Sequence, residues 1–111
     1  MSRAIQERDC FVTVISVYEL LFGVARSRKK IGEDELLAAL SVAPFDAAAA
    51  RRAAALHDEL IRQNRDIGIK DVLIAAICLD RGLPLLTLNE RHFARVRDLD
   101  LITPETFLAP G

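Results

Sequence analysis

The chain is short of the residues that break or staple a fold: its 111 positions hold five glycines, four prolines and two cysteines. So little glycine and proline, beside 51% hydrophobic and 28% charged residues, excludes a collagen-like, low-complexity or disordered chain. Cys10 and Cys78 lie far apart and outside any Cys-x-x-Cys spacing, so they offer neither a zinc site nor a disulfide framework. Reduced thiols in the cytoplasm are the expectation, with Cys78 acting as a small core residue in its apolar run. There is also no excess of one charge. Fifteen Lys+Arg stand against sixteen Asp+Glu, a net charge of −1, which leaves no global basic field to attract nucleic acid and would require a local patch. The charged start MSRAIQERDC leads into only a short apolar stretch, so neither a secretion signal nor a membrane span is expected there. No internal repeat is present, and the length suits one domain over residues 1–111.

What is present reads as strands separated by helices. Cys10 to Ile15 (CFVTVI) is rich in β-branched and aromatic residues with little polar alternation, as in a parallel strand covered on both faces. Val17, Leu20, Leu21 and Val24 then take helical spacing and run into the basic tail Arg26, Ser27, Arg28, Lys29, Lys30. Glu33 to Leu40 predicts a short amphipathic helix. Asp46 caps another that runs to about Gln63, with Ala49, Ala53, Leu56 and Leu60 on one stripe and Arg51, Arg52, Asp58, Glu59 and Arg62 opposite. The run DVLIAAICLDRG is apolar almost all round from Val72 to Leu79 and closes at Gly82, so it must be buried. Leu83 to Leu88 is a second strand, Glu90 to Val96 a short helix and Asp98 to Ile102 a third strand. These elements predict an α/β fold with a parallel sheet, and a loosely held end after Pro104.

Ligands of open parallel sheets collect at the carboxyl ends of the strands, which singles out Ser16, Tyr18 and Glu19 after one strand and Asn89 to His92 after another. Asp71 joins them as an isolated carboxylate opening the buried helix. Carboxylates converging from separate elements need a cation between them, and Mg²⁺ or Mn²⁺ with oxygen ligands is the usual solution. Each residue also has a purely structural reading. Ser16-x-x-Glu19 fits a capping box, Asp71 a first-turn carboxylate favoured by the helix dipole, and Asn89 an N-cap. His92 beside Phe93 reads as a surface or partly packed residue, with no second histidine or cysteine at ligand spacing. Residues 1–30 carry six positive and three negative charges. Arg26, Arg28, Lys29 and Lys30 thus form either a solvated helix end or a phosphate-contacting patch. Tyr18 and Phe22 could offer a stacking face, although Phe22 at that spacing fits a core.

The segments VTVISVYELLFGVARS (12–27), PFDAAAARRAAALHDELIRQNRDIGIKDVLIAAICLDRG (44–82) and LLTLNERHFARVRDLDLI (85–102) together resemble the PIN-domain ribonucleases, specifically the VapC-type toxins of prokaryotic toxin–antitoxin pairs. The resemblance implies a PIN-like three-layer α/β fold with a short parallel sheet flanked by helices. It also implies a metal-dependent endoribonuclease acting on RNA with Mg²⁺ or Mn²⁺, a homodimer, and an inhibitory antitoxin as partner. Glu19 and Asp71 match the family's acidic residues as catalytic metal ligands, and Asn89 stands where relatives carry an aspartate or asparagine near the metal.

One block of the family has no counterpart. Relatives begin with a hydrophobic strand ending in an aspartate, an L-L-D-T-N-like block, whereas this chain starts at what would be the following helix, Ala4 to Asp9. That strand lies centrally in the family's sheet and supplies a primary metal ligand, and its two neighbours would be left with unpaired backbone groups. A longer natural protein, a strand donated by a neighbouring chain, or direct pairing of the two neighbouring strands would each answer this. Two functions follow: a VapC-like toxin ribonuclease, or a catalytically inactive PIN remnant that binds an antitoxin or dimerises. A general α/β fragment whose acidic residues only cap helices is a third reading.

Overall fold

A computed structural model of the protein describes residues 11–28, 32–87 and 89–102. The expected helix from Ala4 to Asp9, Cys10, Lys29, Lys30 and the end after Pro104 lie outside the described residues. The chain divides into two compact units, Met1–Phe45 and Asp46–Gly111.

In the first unit, strands β1 (Phe11–Thr13) and β2 (Ser41–Ala43) pair in parallel, with Phe11 opposite Ser41 and Thr13 opposite Ala43. Helices α1 (Val14–Ser27) and α2 (Glu33–Ala38) supply the crossover that parallel strands require. The CFVTVI run does not stay extended to Ile15. The Thr13 hydroxyl accepts the Ser16 N–H at 3.1 Å and donates to Ser16 Oγ at 3.1 Å, so capping starts the helix at Val14 despite the β-branched side chains. Ser16 therefore lies inside α1, and the Ser16-x-x-Glu19 capping box is replaced by a cap at Thr13. The helix closes at Arg28, whose left-handed backbone (φ 60°) lets its N–H reach the Val24 carbonyl at 2.9 Å. Phe22 is exposed rather than core, stacked on Tyr18 with ring centroids 5.9 Å apart. Their i, i+4 spacing puts both rings on one side of the helix.

In the second unit, α3 (Ala47–Arg62) and α4 (Ile69–Arg81) form the framework. Asp46 Oδ1 accepts the Ala49 N–H at 2.9 Å, the expected N-cap, while Oδ2 accepts from Arg81 Nη2 at 3.4 Å. The start of α3 is thereby tied to the end of α4, so the two helices run antiparallel. Ala49, Ala53 and Leu60 from α3 pack with Val72 and Ile74 to Cys78 from α4, all buried. Burial pushes the Cys78 thiol up to about 11. Gly82 ends α4 in the left-handed region (φ 66°), where a side chain would be strained. Strands β3 (Leu85–Leu86) and β4 (Leu101–Ile102) pair in parallel on either side of α5 (Glu90–Phe93), whose Phe93 is buried. Both strands are shorter than the expected 83–88 and 98–102. Pro84 has no N–H for a ladder, and Asp98 is left-handed (φ 68°). Ala94 to Val96 leave the helix for a turn.

Each unit thus holds its own two-stranded parallel sheet, β1 with β2 and β3 with β4. The strand β2 was not expected at all: two of its three residues are exposed, which leaves no hydrophobic alternation to read.

The turn between α3 and α4 is held by Asp66. Its Oδ1 accepts from the Gly68 N–H and from His57 Nε2, each at 3.1 Å, while Arg95 Nη1 donates to the Asp66 carbonyl at 3.1 Å. The Gly68 N–H, followed by the His57 charge and hydrogen bond, holds the Asp66 carboxyl below its ordinary value of 3.8.

Two measurements check this framework. Ile77→Ala, at a fully buried position, is expected to cost about 2–5 kcal/mol in urea unfolding, and Asp46→Ala about 1 kcal/mol; equal small effects would contradict the packing described. A carboxylate with a depressed native pKa stabilises above its unfolded value and loses that contribution as pH falls through the native one. Wild type should therefore be more stable than Asp66→Asn at pH values above 3.8, with the difference closing in more acidic solution. A difference that grew on acidification would exclude this role.

Candidate active site

Asp71 lies in the first turn of α4, three residues after the N-cap Gly68, where the helix N-terminus favours a negative charge. Its neighbour Val72 is 1% exposed, so the backbone at this point is fixed by core packing. Asn89 and His92 come from the other side of β3, at the start of α5, whose Phe93 is 3% exposed and anchors the short helix. The three side chains meet. His92 Nδ1 lies 2.9 Å from Asp71 Oδ2, and Asn89 Nδ2 lies 3.4 Å from the same oxygen and 3.0 Å from Nδ1.

The chemistry of these atoms decides who donates. A carboxylate oxygen accepts, so Nδ1 must carry the proton and donate it to Asp71 Oδ2. With its lone pair thus occupied, Nδ1 cannot also accept from Asn89, and the amide N–H is left for the carboxylate. Both donors converge on Oδ2, while Oδ1 accepts no hydrogen bond among the described residues. The side chains of Asp71 and His92 are 22% and 39% exposed, so the cluster is open to solvent at one side.

The residues singled out in the sequence fare differently. Asp71 and Asn89 are brought together. Asn89 occupies the N-cap position of α5 but makes no side-chain cap bond, because its amide is turned to Asp71, while its own N–H goes to Thr87 Oγ1 at 2.9 Å. Glu19 is an exposed residue of α1 in the first unit, and Arg26 and Arg28 are exposed at the end of that helix. The contact of His92 with Asp71 was missed. The signal was the Asn89-x-x-His92 spacing, which puts both side chains on one face of a helix.

The oxygens on offer, Asp71 Oδ1 and the Asn89 amide oxygen, are the hard donors that Mg²⁺ and Mn²⁺ prefer. They are few: among the described residues no group of three or more His, Cys, Asp and Glu could hold a metal ion. Nor is any helix among them long and apolar enough to cross a membrane.

Substitutions at His92 test the cluster without any metal. An asparagine there carries an amide N–H at about the reach of Nδ1, so His92→Asn should keep most of the native stability, whereas His92→Ala should lose about 1 kcal/mol. In a double-mutant cycle with Asp71→Asn the two losses should be non-additive. Additive losses in urea unfolding would mean the two side chains are not coupled.

The PIN domain family matches residues 2–99. The tRNA(fMet)-specific endonuclease VapC of Shigella flexneri is 33% identical over 92 residues, covering 79% of this chain and 70% of that protein. A ribonuclease VapC of Rickettsia bellii is 29% identical over 102 residues, covering 86% of this chain and 76% of that one. Among solved structures, VapBC2 from Rickettsia felis bound to a promoter DNA fragment superposes with a TM-score of 0.80 at 28% identity, over 90% of this chain and 78% of that one. PIN-domain nucleases of the VapC type are generally metal-dependent. With the family matched over most of the sequence and its relatives aligned across both units, the chain belongs to the PIN-domain family and is a member of the VapC type, the toxin ribonucleases.

Proposed function

We propose that the chain hydrolyses RNA phosphodiester bonds as the toxin of a toxin–antitoxin pair, using Mg²⁺ or Mn²⁺. The observation that carries this is the meeting of Asp71, Asn89 and His92, in which two donors from one segment end on a single carboxylate oxygen of Asp71 from another. Asp71 is the catalytic ligand, Asn89 an auxiliary one, and Glu19 is the second carboxylate of the catalytic set. The ion, when bound, activates water and offsets the negative charge developing on the phosphodiester. The chain's own residues orient the carboxylate. His92 and Asn89 occupy Oδ2 and fix its rotamer, which leaves Oδ1 as the oxygen for the cation. Arg26 and Arg28 at the end of α1, with Lys29 and Lys30 next in the sequence, are the phosphate-contacting residues.

In this reading residues 1–111 act as one PIN-like domain in the cytoplasm, as a homodimer inhibited by an antitoxin protein. The VapBC complexes among the similar structures support such a partner. A second reading, an inactive PIN remnant that binds an antitoxin or a second copy, is favoured by one observation: Tyr18, Leu21 and Phe22 are exposed apolar residues on α1.

The deciding experiment incubates the full chain with a structured RNA in Mg²⁺, in Mn²⁺ and in EDTA, beside Asp71→Asn and Glu19→Gln. Cutting should require the metal and fall at least about 100-fold in Asp71→Asn, a larger loss than removing an outer-shell partner gives. A folded chain that never cuts, with either ion, sinks the ribonuclease reading and leaves the binding module.

A further inference from the structure

Away from Asp71, the second unit has a cavity of about 470 Å³, within the size range of small-ligand sites. One wall is a stripe of α3: Arg52, Leu56, Glu59 and Gln63 recur at intervals of three and four residues and so share a face. Arg95 and Arg97, from the turn after α5, and Arg65, from the turn after α3, also line it. Four arginines thus line one space, against two acidic residues, Glu59 and Asp98.

These arginines are not spent on ion pairs. Arg62 and Arg81, which do not line the cavity, each pair with a carboxylate, Asp58 and Asp46. Among the described residues none of the four bordering arginines does. Arg95 instead donates to the backbone carbonyls of Arg65 and Asp66 at 3.4 and 3.1 Å, which fixes the guanidinium in place without neutralising it. Glu59 already receives a hydrogen bond from Gln63 Nε2 at 3.3 Å. Leu56, Leu60 and Leu79 are the leucines of the lining. Guanidinium groups without a carboxylate partner are suited to phosphate oxygens, which they bind through paired N–H donors, and the leucine side chains offer apolar contact to a base or sugar.

We propose that this cavity binds a nucleotide of the RNA strand, with Arg52, Arg65 and Arg97 contacting its flanking phosphates and Arg95 setting the local positive potential. The proposal rests on the ribonuclease reading above and adds a subsite to it. Two features link the cavity to Asp71. Leu79 stands eight residues after Asp71 on α4, roughly 12 Å along the helix axis. The segment that carries Asn89 and His92 to the carboxylate also carries Arg95 and Arg97 to the cavity.

The test is metal-free binding of a nuclease-resistant single-stranded RNA to the full chain in EDTA, followed by fluorescence anisotropy across a salt series. Arg52→Gln with Arg97→Gln should weaken binding by about tenfold or more at moderate salt, and the slope of log affinity against log salt should become shallower by about 1.4, or about 0.7 for each lost contact. The charge-matched control, Arg51→Gln with Arg62→Gln on the same helix but outside the cavity, should change both quantities far less, with all variants showing wild-type melting. Equal losses in the two pairs, or no loss in either, would overturn the subsite. So would a polyglutamate peptide that binds wild type but not the Arg52/Arg97 pair while RNA binding is the same in both. Since no cleavage is read, a chain that binds RNA through the cavity yet never cuts refutes the ribonuclease reading and not this one.

Discussion

The second unit depends on the burial of one helix. Ile74 to Cys78 are five consecutive buried residues of α4, and five in a row span more than a full helical turn, so the helix is enclosed on every side. Such a helix has no freedom to roll or slide without opening cavities in a close-packed interior. Its first turn is therefore a fixed point, and Asp71 rides on it one residue before the buried Val72. The antiparallel partner α3 is held to it at both ends, by Asp46 with Arg81 at one and by the Asp66 turn at the other.

On that fixed point the polar groups are arranged by what each atom can do. Asp71 can only accept, and the two donors that approach it, from His92 and Asn89, both end on Oδ2. The consequence is an oriented carboxylate with one oxygen satisfied and one left over. The same segment then runs on to Arg95, which is bonded to backbone carbonyls of the α3–α4 turn. The carboxylate cluster and the basic cavity thus share a support, and the geometry of one constrains the other. Fold likeness to VapC structures fixes the scaffold, while the chemistry has to be argued from these side chains.

Much of the helical structure was legible in the sequence because each helix carries its own punctuation. Asp46 and Gly82 marked the ends of α3 and α4, and the all-round apolar run announced a buried helix. The errors fall where local rules compete. The CFVTVI run has strand-like residues through Ile15, yet the Thr13 hydroxyl captures the Ser16 N–H and turns Val14 into the first helical residue. Strand β2 escaped notice because three residues, two of them exposed, have no readable period. Phe22 at its spacing fits either a core or a stacking face with Tyr18, because spacing says only that the two share a face, and not what covers that face.

The sequence alone therefore determined the class of the fold, the buried helix, the carboxylate that opens it and the family resemblance, because these rest on local periodicity and on contiguous motifs. Only the tertiary structure decided which side chains meet. His92 reaches Asp71 across 21 positions, and the arginines around the cavity are spread from Arg52 to Arg97, with Arg52 assigned from the helical pattern to a plain solvent face. Convergence of this kind depends on how helices pack and how turns are tied, and no local pattern in the chain encodes the distance between residues so far apart.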